Sequence, residues 1–229
     1  MIRFALILVL STSVSMAHSE LESLKKQIIS KAESFKGQGD PDSSKQRQLE
    51  ILVTKLLELN PQASVRDRLD LLQGPWKQVW GPYEYRKNDR SVDPSLDVNN
   101  IYQVIFDGYY YNVNPNFDRN GKPSKVVLLR GEYKIDESTD DTLIAKFTNL
   151  REVKEGNLDS KLKLIDLPAL SEARSLQGEK TTLPSFVVKL LFGGGRLQEV
   201  YTDEDLRITF GTGNNEDVSN YIYVLTRVK

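Results

Sequence analysis

The chain has 229 residues, no cysteine, a single histidine (His18), and 31 Lys+Arg against 32 Asp+Glu, for a net charge of −1. That balance gives no long-range pull on nucleic acid or an anionic membrane. Without cysteine there are no disulfides, thiol nucleophiles or thiolate metal sites, and one histidine excludes Ser-His-Asp catalysis and zinc sites built on two imidazoles. Any chemistry would rest on carboxylates, Lys, Arg, Tyr or hydroxyls, and no cofactor or metal is implied.

The first 17 residues read as a secretory signal: a basic start at Arg3, an apolar run over 4–14, and small residues Ser15 and Ala17 before His18. The apolar run is shorter than the ~20 residues a spanning helix needs. Cleavage after Ala17, which removes only the charge of Arg3, shortens the chain of 229 residues to 212 and moves the net charge from −1 to −2. The expected destination is a periplasm or the extracellular space. The domain expectation is a signal at 1–17, a helical segment at 18–73 and a β domain at 74–229.

From residue 18 to Gly74 the apolar period is helical. Leu21, Leu24, Ile28, Ala32 and Phe35 share one face of a first helix, stopped by Gly37-Gln38-Gly39-Asp40-Pro41. Leu49, Leu52, Leu56 and Leu59 stripe a second, which Asn60-Pro61 ends. Ser64 suits the N-cap of a short third helix carrying Val65, Leu69 and Leu72.

Beyond Gly74 the pattern changes to alternating β-branched and aromatic residues. Strands are expected over 76–80, 101–106 and 109–113, the last two joined by Asp107-Gly108, a dipeptide suited to a tight hairpin. Further strands fall over 125–135, 142–152, 185–192, 196–201, 206–210 and 221–228, with a weaker one over 158–165. Eight or nine strands with turn-rich connections indicate an antiparallel barrel or sandwich. Segments 89–99 and 168–184 read as long loops, the usual place for binding sites.

Alternation supplies candidate interior faces. Trp76, Gln78 and Trp80 share a side, as do Tyr102, Val104 and Phe106; Val127, Leu129 and Tyr133; Leu143, Ala145 and Phe147; Phe186, Val188, Leu190 and Phe192. Near the C-terminus either Leu206, Ile208 and Phe210 or the opposite set faces inward, followed by Tyr221, Tyr223, Leu225 and Arg227 or theirs. The expected interior is aromatic and short of titratable groups. An eight-stranded barrel holds packed side chains or one small apolar ligand.

Three stretches resemble the plastid lipid-associated protein family, also called fibrillins. LVTKLLELNPQASVRDRLDLLQGPWKQVW (52–80) is similar to that family's helix with a Leu-Asn-Pro-like stop, followed by Leu-x-Gly-x-Trp at the start of the barrel. VYTDEDLRITFG (200–211) resembles its Tyr-Leu-Asp-Glu-Asp-Leu-Arg-Ile-x-Arg-Gly signature, and IYVLTR (222–227) its Phe-Val-Leu-x-Arg ending. Two departures stand out: the exported N-terminus in place of a plastid address, and Phe210 where the family has Arg. The resemblance implies a mainly β, lipocalin-like antiparallel barrel of about eight strands after two or three helices. It also implies binding of a small hydrophobic, lipid- or isoprenoid-like ligand, and it carries over no catalytic set. Cavity-lining candidates are Trp80, Tyr102, Phe106, Leu129, Phe147, Phe186, Val188 and Leu190, with Gln78 and Tyr hydroxyls to orient a polar head. By likeness to lipocalin barrels, Arg207 or Arg227 is expected to cover Trp76 in a structural cation–π contact.

Other motifs read as structure. Asp203 and Asp205 invite a carboxylate mechanism, with Glu132 as a further acid for a glycan-active enzyme, yet adjacent acids alternate sides. Arg207, two residues after Asp205, makes a structural ion pair the preferred reading. The calcium-like loop 116–121 has Val127 where a bidentate Glu is required. Gly193-Gly194-Gly195 lacks the Lys and Ser/Thr of a phosphate loop, and Tyr109-Tyr110-Tyr111 has no basic patch for nucleic acid. The amphipathic preface is expected to pack across the barrel or cap its mouth; peripheral association with a membrane or lipid surface is the alternative. The expectation is an exported, non-catalytic binding protein. Its rivals are an interaction module with a filled barrel and a carboxylate-dependent enzyme.

Overall fold

The computed structural model describes residues 2–36, 43–81, 100–117, 123–154, 194–212 and 221–228. Two helices, α1 (Ile2–Ser34) and α2 (Ser43–Leu59), precede a 3₁₀ turn (Arg66–Arg68) and the one-turn helix α3 (Leu69–Leu72). Eight strands follow: β1 (Gly74–Trp80), β2 (Tyr102–Phe106), β3 (Tyr109–Phe117), β4 (Pro123–Ile135), β5 (Thr142–Lys154), β6 (Gly194–Thr202), β7 (Leu206–Thr212) and β8 (Tyr221–Arg227). Each pairs antiparallel with its neighbours in sequence, and β8 returns to β1, closing a barrel without a free edge. The mainly β barrel after helices is thus the observed architecture. The strand expectations over 158–165 and 185–192, and the loops over 89–99 and 168–184, lie outside the described residues.

Local chemistry explains the turns. In the β2–β3 hairpin Asp107 (φ 50°) and Gly108 (φ 81°) both take the left-handed conformation, which a twist-matched two-residue hairpin demands and glycine supplies without strain. Ser64 receives the Asp67 N–H at 3.3 Å and donates to the Asp67 carboxylate at 2.8 Å, fixing the start of the 3₁₀ turn.

The meander gives the barrel two unlike ends. The 3₁₀ turn and α3 lie at the end where β1, β3, β5 and β7 begin, and Val65 and Leu72 join the lumen core there. The Val65 N–H donates to the carbonyl of Asp140 in the β4–β5 turn (2.9 Å). At the opposite end β2, β4, β6 and β8 begin.

Two cores share the sheet. Outside, Leu24, Ile28, Ala32 and Phe35 of α1 and Leu49, Val53 and Leu56 of α2 pack on Val79, Trp80, Tyr201, Leu206, Ile208, Ile222 and Val224. The helical stripes read from the sequence are these faces, and they lie across the barrel wall. Inside, Ile105, Tyr110, Leu129, Leu143, Ala145, Phe147, Leu150 and Leu197 line the lumen.

Candidate functional site

The capped end is sealed by one aromatic ring and one cation. The Trp76 Nε1–H donates to the Leu72 carbonyl at 2.9 Å, which pins the indole beneath α3. The Arg227 guanidinium lies 3.8 Å from the Trp76 ring centroid and donates to the carbonyls of Leu71 and Gln73 at the end of α3. A cation at a helix C-terminus and over an indole face is stabilised by both. Burial, the strongest influence, holds this guanidinium below its ordinary pKa. Gln73 extends the cap: its Oε1 accepts the Asp107 N–H (3.0 Å), and its Nε2 reaches the Tyr133 hydroxyl (3.4 Å).

Above the cap lies a buried ionic layer. Arg207 of β7 and Glu199 of β6 are both fully enclosed; Nε donates to one carboxylate oxygen at 2.9 Å and an NH2 to the other at 2.5 Å. The remaining arm donates to Gln103 Oε1 at 2.8 Å on β2, which bridges the lumen, because β8 and β1 separate β7 from β2. Burial opposes the charge, but the Glu199 carboxylate, aided by Tyr110, raises the guanidinium above its ordinary pKa. Such a bidentate pair is geometrically demanding and leaves Arg207 few donors to offer anything else. Arg68 braces the layer from outside by donating to the Glu199 carbonyl (2.5 Å) and Thr202 Oγ1 (3.2 Å).

Beyond this layer the lumen loosens. Trp76, Ile105, Leu143 and Leu225 are 0% exposed, whereas Leu129, Phe147, Leu150 and Leu197 keep 7–9%. Nearer the opposite end Asn112, Asn114, Val127, Tyr221 and Tyr223 are half-buried. A groove of about 710 Å³ lies outside the barrel between α1 and α2 and is lined by Lys26, Ser30, Lys31, Ile51 and Leu52 among others.

The sequence model of PAP_fibrillin matches residues 22–218, which take in α1 from residue 22, α2, α3 and the barrel strands before β8. The chain belongs to the PAP_fibrillin family. A search among curated proteins finds no match to it.

In this PAP_fibrillin barrel the sequence-derived candidates separate into three groups. Leu129 and Phe147 face the lumen, as parity indicates, and Gln78 and Trp76 do so too. Trp80 does not: β1 pairs with β8 at Gln78↔Leu225 and then at Trp80↔Val224, so a bulge at Val79 turns Trp80 outward. There its ring meets Phe35 of α1 edge-on, centroids 5.5 Å apart. Tyr102 and Phe106 are also outward. Gln103 pairs with Trp76 and Ile105 with Gly74, so β2 turns its odd-numbered residues to the lumen. Tyr102 instead lies beneath Lys77 (5.9 Å), and Phe106 packs with Val104, Tyr109, Tyr111 and Val113. On β7 the inward set is Arg207, Thr209 and Gly211, while Leu206, Ile208 and Phe210 meet the helices. Phe186, Val188 and Leu190 lie outside the described residues.

Two expectations about charge are corrected. The interior is not short of titratable groups, since Arg207 and Glu199 occupy its middle. Arg207 pairs with Glu199, not Asp205, because it points into the barrel while Asp205 sits in the β6–β7 turn. Of the two arginines considered for Trp76, Arg227 covers it. Asp203 ties that turn to α1: its Oδ1 accepts the N–H groups of Asp205 and Leu206 (both 2.8 Å), and its Oδ2 accepts Lys25 Nζ (2.8 Å) and the Tyr201 hydroxyl (2.8 Å). Burial works against the Asp203 charge, but these donors outweigh it and depress the carboxyl below its usual range. Burial also works against Lys25, yet Asp203 and Glu22 lift it above its ordinary value; burial beside Asp203 pushes the Tyr201 phenol up to about 12. Among the described residues no group of three metal-ligating side chains occurs; loop 116–121 lies largely outside them.

Sequence reading missed Glu199, Gln103, Lys25 and Arg68. A faint signal existed for the first: an acid just before Val200 and Tyr201, eight residues before an arginine flanked by Leu206 and Ile208.

Proposed function

We propose that this PAP_fibrillin chain is an exported, non-catalytic binding protein that holds one small hydrophobic, lipid-like ligand in the half of its barrel away from the Trp76 cap. The observation that supports this reading is the apolar wall of the lumen, where Leu129, Phe147, Leu150 and Leu197 keep 7–9% exposure. Apolar wall that solvent still reaches gains about 25 cal/mol per Å² when a ligand covers it, before ordering costs. The ionic layer of Arg207, Glu199 and Gln103 floors the site, so an apolar tail occupies only the upper lumen. Export rests on the signal-like residues 1–17, and N-terminal sequencing of the mature protein checks it: a start at His18 supports it.

The test is titration of the purified, delipidated protein with the apolar fluorophore N-phenyl-1-naphthylamine. The expected result is saturable one-to-one binding that Leu150→Trp, which fills the lumen, weakens at least 10-fold while the far-ultraviolet spectrum is kept. Equal binding by wild type and Leu150→Trp would place the fluorophore elsewhere and refute the reading.

A further inference from the structure

The upper lumen carries polar atoms that the fold leaves without partners. Gln78 Oε1 on β1, Thr209 Oγ1 on β7 and Asn114 Oδ1 on β3 are buried and make no hydrogen bond. All three residues face inward: Gln78 pairs with Leu225, Thr209 with Tyr223 and Glu199, and Asn114 with Val127. Gln78 is 2% exposed and Thr209 0%. Native proteins pair nearly all such atoms. Gln78 and Thr209 lie on one side of the barrel with β8 between them, Asn114 lies on the opposite side, and the first two call for an explanation.

The local packing makes it a shelf. A Cβ on Gly81 would meet the Gln78 amide at 2.8 Å and the Tyr223 ring at 2.9 Å, and one on Gly211 would meet the same ring at 2.5 Å. The two glycines therefore let Tyr223 lie close against the wall between Gln78 and Thr209, on the adjacent strands β1, β8 and β7. A planar aromatic with polar groups to either side is a seat for a head group rather than for an acyl chain.

We infer that this shelf binds the hydroxyl-bearing head of a neutral alcohol or phenol, the apolar body of which lies along Leu129, Phe147 and Leu150. A hydroxyl both donates and accepts, so it satisfies an amide and a threonine side chain together. A carboxylate head is disfavoured. Its charge is costly to bury without a free cation, and Arg207 in the same lumen already spends Nε and both terminal nitrogens on Glu199 and Gln103. The inference rests on the barrel–ligand reading above and specifies the head group that site selects.

Three matched probes test it by isothermal titration of the full, delipidated protein: 4-octylphenol, its methyl ether 4-octylanisole, and 4-octylbenzoate. The expected order is phenol at least 5-fold tighter than anisole, with benzoate weakest. Thr209→Val and Gln78→Met remove one polar group each at near-constant volume; each is expected to bring the phenol-to-anisole ratio towards one, while Thr209→Ser preserves it. Because Gln78 Oε1 and Thr209 Oγ1 are buried without a hydrogen bond, both variants should melt within a few degrees of wild type. Equal affinity for phenol and anisole, tighter binding of benzoate, or an unchanged ratio in both variants would overturn the head-group assignment and leave the barrel–ligand reading standing. A large loss of melting temperature in both variants would overturn it as well, by showing that these atoms are paired within the unliganded fold. Failure of all three probes to bind would instead remove the barrel–ligand reading itself.

Discussion

The Arg207–Glu199 pair offers the sharpest energetic test of the lumen. Replacing Glu199 by Leu strands a fully buried guanidinium that loses contacts at 2.9 and 2.5 Å and keeps the one to Gln103 at 2.8 Å. A guanidinium cannot shed its charge, so the fold must either pay desolvation or admit water. Breaking such a pair costs about 3–5 kcal/mol. For a domain of this size that is a fall in melting temperature of roughly 6–20 °C, at about 2–4 °C per kcal/mol. Arg207→Met strands the carboxylate instead and should also destabilise the fold. The double variant Glu199→Leu/Arg207→Met removes both charges and should recover most of the loss, because well-packed apolar replacements of buried pairs are often neutral or stabilising by about 1–4 kcal/mol. Urea unfolding followed by circular dichroism on all four proteins gives the double-mutant cycle, with an expected coupling of at least ~2 kcal/mol. A cost below ~1 kcal/mol for Glu199→Leu, with effects additive within ~0.5 kcal/mol, would refute the buried pair.

Two other sites give independent expectations. Arg227→Met should cost about 1–2 kcal/mol, from the lost cation–π contact and carbonyl bonds, and should red-shift tryptophan emission as water reaches Trp76; unchanged emission and stability would show that Arg227 does not close the barrel. The Lys25–Asp203–Tyr201 cluster sets the pH dependence. Lys25 and Tyr201 have raised folded-state values, so their contribution is whole below about 10 and is lost as pH rises, through about 12 for Tyr201. Asp203 is depressed, so its contribution is present above its ordinary value of 3.8 and is lost on acidification through the lower folded-state value. Thermal melts between pH 9 and 12 should therefore fall steeply for wild type and more gently for Tyr201→Phe; parallel curves would count against the cluster.

Much of the architecture was legible because the signals were local. The helical stripes of α1 and α2, the Asp107-Gly108 hairpin and the strands from β1 to β8 follow from periodicity and turn chemistry within a few residues. Leu129 and Phe147 were placed correctly because β4 alternates through Leu129 and the β5 bulge falls only after Phe147. The family motif was legible too, and its residues prove to do two jobs: Tyr201 and Asp203 hold α1, while Arg207 holds the lumen.

What parity could not decide was which face is inside when both are buried. Residues 206–209 of β7 are all buried, because α1 and α2 cover the outer face as completely as the barrel encloses the inner one. Two-sided burial erases the hydrophobic alternation on which register reading depends. A single extra residue at Val79 then reverses every side chain beyond it, which sent Trp80 to the helices. The sequence by itself determined a cysteine-free chain, helices before strands, and one barrel with an aromatic-rich wall. Only the tertiary structure decided that Arg227 rather than Arg207 covers Trp76, that Glu199 and Gln103 meet Arg207 across the lumen, and that Gln78 and Thr209 face it unpaired. Those contacts join residues up to 151 positions apart, as from Trp76 to Arg227, and strand closure alone brings them together.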